Sequence, residues 1–406
     1  MKVYDIFIHI NIIYSGRIIV LNRHMDSNQL ISQGNQFRTE VKPLDALACY
    51  GQALIIDPDS ASAFNNYGNT LRELGQPVRS IPFLQHSCLL DPSSTVAQFN
   101  LAVAYLLSGD YARGFPAYEA RWNFEHLAGT LPKYTQPRWT GQDLKDKTIF
   151  VIGEQGHGDM IQFSRFLINL HERGATIHLQ VTEGLVPLFQ NSLILKKVTV
   201  FQEPDFDFDY WIPIMSIPAV LGITLENLPH TIQYLNARND LAEQWRQRLG
   251  LKRRLRVGFG WSGRKDSWIN QHKSMPFETM LGLIKSCPDY EWINLQVDVA
   301  PEEEAQLAEL GLSTYPGSIR SWADTAALIS HLDVFVGVDT AVSHMSAALG
   351  RPTWIMLSQY ALDWRWLLNR DDSPWYGSAK LFRQPSIGDW ATVTKQIKQY
   401  LSWFKV

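Results

Sequence analysis

From residue 27 to 128, large, small and turn-forming positions recur at an offset of 34 residues. Gly34 falls on Gly68, Pro58 on Pro92 and Gly75 on Gly109. The same offset aligns Phe37, Leu71 and Tyr105, then Tyr50, Leu84 and Tyr118, all large residues where a helical hairpin must fill its interior. Ala46, Ser80 and Gly114 supply an aligned small position. From 147 onward the pattern changes to short β-branched runs separated by amphipathic segments. The order is KTIFVIG, a helical DMIQFSRFLINLHERG, TIHLQV, a helical EGLVPLFQNS, KVTVFQ and DYWIPIM. It restarts with LRVGFGW at 255–261 and continues through a helix after Pro276, EWINLQ, PEEEAQLAEL, SWADTAALISH, VFVGVD, a helix over TAVSHMSAAL, and TWIML. Such alternation predicts parallel sheets, so the chain reads as α + α/β, helical repeats followed by two Rossmann-like α/β domains.

The 34-residue unit resembles the tetratricopeptide repeat, a pair of helices with a proline ending the second, over 27–60, 61–94 and 95–128. Three repeats are about the minimum that stack into a stable array. Arrays of this kind hold peptides in a concave groove, and the alternative role is to brace the domain that follows. All 14 tryptophans lie at or after Trp122, so composition changes where the repeats end. Residues 129–145, with Pro132, Pro137 and Gly141, read as a connection, and 217–250 has the weak pattern of a linker. Residues 1–24 lack the composition of a signal sequence and read as an extension or an added edge strand, with Met25 as an alternative start.

Composition narrows the chemistry. Lys plus Arg number 37 against 40 Asp plus Glu, a net charge of −3, without the basic excess of a nucleic-acid binder. Cys49, Cys88 and Cys287 form no metal-spaced cluster and argue for a reducing, cytoplasmic setting. No apolar run reaches the roughly 18 residues of a membrane span.

Candidate site residues lie at the carboxyl ends of strands, where open α/β sheets bind ligands. Gly258, Gly260 and Gly263 spell G-x-G-x-x-G, yet the polar RKDSWINQHKSMP follows where a dinucleotide site needs a helix. That loop, with Ser262, Arg264 and Lys273, suits an anionic group instead. The loop GEQGHGD at 153–159 joins a strand to a helix, with Gly156 in its turn and Asp159 in the first helical turn. Asp159 is either a proton acceptor or an N-terminal cap. In VGVDTAVSHMSAALGRP, 336–352, Asp339 is placed to cap a helix, the amides near Thr340, Ala341 and Val342 offer an anion site, and His344 lies one turn deeper. Gln296, closing EWINLQ, completes the candidate set. Asp205, Asp207 and Asp209 contain D-x-D but alternate with Phe like one face of a strand, so no metal is expected.

GVDTAVSHMSAALGRPTW, the GD loop, and a Lys ahead of a Pro-initiated helix together resemble the heptosyltransferase-like glycosyltransferases of family 9, with the GT-B fold. The repeats ahead of them resemble the domain order of tetratricopeptide glycosyltransferases. The resemblance implies inverting transfer from a nucleotide-diphosphate sugar without metal or cofactor. It implies an acceptor-side domain over 129–235 and a nucleotide-sugar domain over 236–406 with a C-terminal helix. Asp159 matches the family's base and Lys273 its phosphate lysine. Asp339, Thr340, Ala341 and His344 match the segment holding the diphosphate and donor sugar. The loop with Asp363, Trp364, Arg365 and Trp366 departs from the simple heptosyltransferase pattern and leaves the donor open. Expected partners are a nucleotide sugar and a protein, peptide or glycan acceptor, without nucleic acid or integral membrane contact. Two rivals are an interaction protein with an inactive domain and a nicotinamide oxidoreductase.

Overall fold

The structure, a computed structural model, describes residues 25–125, 127, 129–229, 233–263, 268–315, 317–360 and 362–404. The extension 1–24 and the candidate Arg264 fall outside the described residues. The chain forms two compact units, Met1–Leu131 and Pro132–Val406. Both sheets belong to the second.

The first unit has three helical hairpins: α1 (Ser27–Thr39) with α2 (Pro43–Ile56), α3 (Ala61–Glu73) with α4 (Pro77–Leu90), and α5 (Thr95–Leu107) with α6 (Tyr111–Tyr118). The 34-residue period also recurs in the local chemistry. Ser60 and Ser94 cap α3 and α5 by accepting the amides of Ala63 and Ala97, and Pro43 and Pro77 open α2 and α4, where a missing N–H costs nothing. The aligned large residues Tyr50, Leu71 and Leu84 are essentially fully buried. Gly34 and Gly68 exist to admit them: a Cβ on Gly34 would come within 2.5 Å of Tyr50, and one on Gly68 within 2.8 Å of Leu84. Along the first helices runs a chain of amides. Asn66 donates to Asn35 (3.0 Å), Asn65 to Asn66 (3.0 Å) and Asn100 to Asn65 (2.9 Å).

The second unit carries two all-parallel sheets. The first has the order β3-β2-β1-β4, from β1 (Thr148–Ile152), β2 (Thr176–Gln180), β3 (Leu195–Thr199) and β4 (Tyr210–Pro213). Its helices α7 (His157–Phe163) and α8 (Leu167–Glu172) follow β1. The second, ordered β6-β5-β7-β8-β9, has β5 (Arg256–Gly260), β6 (Glu291–Asn294), β7 (Val334–Val338), β8 (Thr353–Leu357) and β9 (Ala379–Arg383). Strands buried on both faces, such as β7 and β8, explain the continuous apolar runs of the sequence. Three corrections follow. The supposed linker contains α9 (Asn239–Leu249), anchored by buried Trp245. The supposedly irregular segment before Pro276 contains α10 (Trp268–Lys273). The edge strand β9 had no counterpart in the pattern, because AKLFR alternates charge and bulk too briefly to signal itself. Helices α11 (Phe277–Lys285), α12 (Pro301–Glu309), α13 (Trp322–Ile329), α14 (Ala341–Ala348) and α15 (Trp390–Trp403) follow, and two short helical turns, Val186–Phe189 and Ile217–Leu221, lie beside the first sheet.

Two helical glycines separate packing from propensity. Ala gains up to about 1 kcal/mol over Gly in a helix. At Gly282 in α11 a Cβ meets nothing within 4 Å, so Gly282→Ala should stabilise by about 0.5–1 kcal/mol. At Gly68 overpacking of about 1–3 kcal/mol against Leu84 outweighs that gain, so Gly68→Ala should destabilise. Urea midpoints of the two variants should move in opposite directions. A common direction would mean that the Gly68–Leu84 contact yields without strain.

Candidate active site

The site forms where the first turns of α7 and α14 meet between the carboxyl ends of the sheets. Gly158 permits this, since a Cβ there would stand 3.0 Å from the His344 ring and 3.4 Å from Ala341 Cα. The loop before α7 is tight: Gln155 has φ 59°, a left-handed conformation costly for a side chain bearing a Cβ. Asp159 occupies the third helical position, and its Oδ2 accepts the Gly156 N–H at 2.9 Å. Its Oδ1 is held by the Arg365 guanidinium. Asp159 is therefore a cap and an ion-pair partner together.

Arg365, from the loop after β8, is only 8% exposed and joins residues of both sheets. It reaches Asp159, Asp363 (3.1 Å) and the Gln162 Oε1 (2.6 Å). Lys273, at the end of α10, in turn donates to Asp339 (2.6 Å) and Asp363 (2.9 Å). Asp339 therefore does not cap α14 as expected. Thr340 stands at the cap position without a side-chain bond, while the Asp339 carboxylate is drawn to the lysine. Burial works against both charges of the Lys273–Asp363 pair, and their mutual attraction overturns it. Lys273, flanked by Asp339 and Asp363, is raised above the ordinary lysine range, and Asp363, flanked by Lys273 and Arg365, is held well below the usual carboxylate range.

His344 is buried, with its Nδ1 at 2.8 Å from the Tyr376 hydroxyl and its ring stacked at 5.2 Å on Trp366. The Tyr234 hydroxyl lies near the carbonyls of Ile161 and Gln162, to which it donates. The Tyr376 hydroxyl and Nδ1 share one hydrogen bond, and Nε2 stands 3.8 Å from Asp339 Oδ1. Burial, reinforced by Arg365 and opposed by Asp339, pushes His344 down to about 4. The imidazole is neutral at pH 7.

Gln296 and Ser262 meet through the main chain. The Gln296 Oε1 accepts the amides of Trp261 (3.3 Å) and Ser262 (3.2 Å), so its oxygen fastens the loop after β5. Gly258 serves the sheet core: a Cβ would lie 2.3 Å from Leu332 and 2.7 Å from Leu295, a packing role that accounts for the first letter of the dinucleotide-like string. In the DFDFD segment Asp205 pairs with Lys197, and Asp209 pairs with Lys147 and accepts the Thr148 amide. Among the described residues no group of three or more His, Cys, Asp or Glu is arranged to hold a metal ion.

Sequence reasoning missed Gln162, Tyr376 and Arg383, and saw Asp363 and Arg365 only as a departure from a pattern. Arg383 closes β9 and shares a small cavity with Lys273, Asp339 and Asp363. A signal existed in Asp363 and Arg365 alternating with Trp364 and Trp366, an unusual place for solvated charges.

Two parallel α/β sheets with facing carboxyl ends follow a unit of three helical hairpins along this chain. The family model for glycosyltransferase family 9 (heptosyltransferase) matches residues 321–357, from α13 through β8. A tetratricopeptide repeat model matches residues 49–81. Protein FlbA of Caulobacter vibrioides is 26% identical over 375 residues, covering 85% of this chain and 62% of its own length. The chain thus spans less than two thirds of that relative. Among solved structures, a family 9 glycosyl transferase from Veillonella parvula aligns with a TM-score of 0.47 and 11% identity over 64% of this chain and 92% of its own. The E. coli ADP-heptose LPS heptosyltransferase II aligns with a TM-score of 0.45 and 15% identity over 63% of this chain and 98% of its own. No helix of the described residues is long and apolar enough to cross a membrane.

The buried imidazole gives a pH dependence with a definite sign. Between pH 6.5 and 4 the unfolded chain takes up a proton at His344 that the folded chain refuses, so stability falls as pH falls through this window. At about 1.4 kcal/mol per unit the loss reaches about 3 kcal/mol by pH 4. His344→Gln should lose less stability than the parent between pH 7 and pH 4.5, as read by urea midpoints. Equal losses would show that the ring is not kept neutral by its surroundings.

Proposed function

We propose that this chain is an inverting, metal-independent glycosyltransferase that moves a sugar from a nucleotide-diphosphate donor to a hydroxyl acceptor. The observation that carries the reading is the meeting at Gly158 of Asp159, at the start of α7, with the amino end of α14. A proton acceptor and an anion seat are thereby offered from opposite sheets. The acceptor oxygen attacks the anomeric carbon as its proton passes to Asp159. The bond to the diphosphate oxygen breaks on the opposite face. The charge of the leaving nucleoside diphosphate is taken up by the 340–342 amides, by Lys273 and by the His344 imidazole. A single displacement inverts the anomeric centre. The reading places the protein in the cytoplasm, with a protein, peptide or glycan acceptor chosen by the repeats.

One observation favours the second reading, an interaction protein with a silent domain: both Asp159 oxygens are already engaged, by Gly156 and Arg365. A thermal-shift panel of UDP, GDP, ADP, CMP and NAD separates the readings, with stabilisation expected from one nucleoside diphosphate and none from NAD. Asp159→Asn keeps the cap geometry and removes the proton acceptor, so turnover should fall by about 10²–10⁴ while donor affinity is nearly unchanged. Near-normal turnover would leave Asp159 as a cap alone.

Repeats interact with proteins, and the chain of amides from Asn35 to Asn100 supplies donors and acceptors suited to a peptide backbone. Joint substitution of Asn65, Asn66 and Asn100 by Ala should abolish transfer to the natural acceptor and spare slow donor hydrolysis. Product formation beside nucleotide release measures both. Unchanged transfer would assign the repeats a bracing role and move acceptor choice to the cleft.

A further inference from the structure

The reading of Lys273 as the diphosphate cation meets an obstacle, because that ammonium already carries Asp339 and Asp363 at 2.6 and 2.9 Å and is only 15% exposed. Arg365 is filled as well, by Asp159, Asp363 and Gln162. Asp159, Asp339 and Asp363 already occupy both cations, so an arriving diphosphate finds neither of them available until one carboxylate gives way.

The two carboxylates on Lys273 are not equally placed to do so. Asp339 directly follows the buried strand β7, and its side chain is 6% exposed. Asp363 lies in the loop after β8, more exposed at 16%, four residues before Leu367 at φ 50° and ψ −161°. An L residue rarely adopts that backbone conformation, so the loop is held by its contacts rather than by its own preference. Across the same small cavity, lined also by Ser358 and Trp366, stands Arg383. Its guanidinium donates to the carbonyls of Arg370 (3.0 Å) and Trp366 (2.7 Å), and among the described residues no carboxylate pairs with it. Burial, helped by the nearby Arg370, lowers it to about 10, as befits a cation lacking its own anion.

We propose that Asp363 is a resident anion occupying the diphosphate seat on Lys273, and that donor binding transfers its carboxylate to Arg383. The inference rests on the donor-site reading of Lys273. Lys273 trades a carboxylate for a phosphate, Arg383 gains the carboxylate, and no buried charge is left alone at either end of the exchange. Specificity follows. A nucleoside without its phosphates brings no charge to displace Asp363, so the cleft selects the diphosphate before it reads the sugar.

Calorimetry on the full chain with UDP, GDP, ADP and CDP tests the exchange, using the nucleotide that the parent binds best. A charged hydrogen bond is worth about 1.5–3 kcal/mol, so Asp363→Asn, relieved of the competitor, should bind about 10- to 150-fold more tightly. Arg383→Gln, with nowhere to receive the carboxylate, should bind about 10-fold or more weakly by the same measure. The double variant should match Asp363→Asn, because Arg383 has no part once the carboxylate is gone. Asp363→Ser, which also removes the charge and keeps an oxygen for the Arg365 amide, serves if the Asn variant fails to fold. Binding by the charge-free variants that is unchanged or weaker would overturn the exchange, and strictly additive effects in the double variant would remove Arg383 from it. If none of the four nucleotides binds the parent or the charge-free variants, the donor-site reading itself falls and takes the exchange with it.

Discussion

A guanidinium shared between two sheets governs this cleft. Arg365 comes from the loop after β8, yet two of its partners, Asp159 and Gln162, belong to α7 of the other sheet. Charges this deeply placed cost several kcal/mol each to desolvate, and they persist only when every partner is present. Removing the guanidinium would leave Asp159 without its cation and halve the support of Asp363. The close approach at Gly158 and the orientation of the catalytic candidate therefore hang on one side chain that does no chemistry of its own.

A second arginine joins the same two sheets by different means. Arg165 is 1% exposed and has carbonyls, not carboxylates, as partners: its guanidinium donates to Trp375 and Gln162 and lies 4.6–5.1 Å from the rings of Tyr376, Tyr234 and Trp375. Aromatic faces and main-chain oxygens disperse its charge where no carboxylate fits. Tyr376 links this junction to the one around Arg365, since its hydroxyl shares a hydrogen bond with His344 Nδ1. The Nδ1 side of the imidazole is thereby turned to this packing and the Nε2 side to Asp339.

The repeats show the opposite economy. Their hairpins depend on pairs of a glycine and a large residue, Gly34 with Tyr50 and Gly68 with Leu84, that repeat because the helices must approach to the same distance each time. What varies between repeats is the polar surface of the first helices, and there the asparagine amides are joined across all three.

Periodicity alone determined the helical hairpins, the two parallel sheets and the placing of Asp159, His344 and the 340–342 amides at strand ends, because these follow from spacing along one element. The family match at 321–357 falls on the same segment for the same reason: a strand, a turn and a helix that bind through their own backbone are written contiguously. What the sequence could not show was pairing across distance. Lys273 and Asp339 are 66 residues apart, and Asp159 and Arg365 are 206 apart. Asp339 looked like a cap because caps are local, and it became an ion-pair partner because a lysine from α10 offered more than a helix end does. Likewise the Gln296 oxygen fastens the loop after β5, and Gly258, the first letter of a dinucleotide-like string, admits two leucines to the sheet core, contacts that no local spacing announces. Charges and close contacts between remote segments are decided by tertiary structure, since their energies depend on distances that no residue spacing encodes.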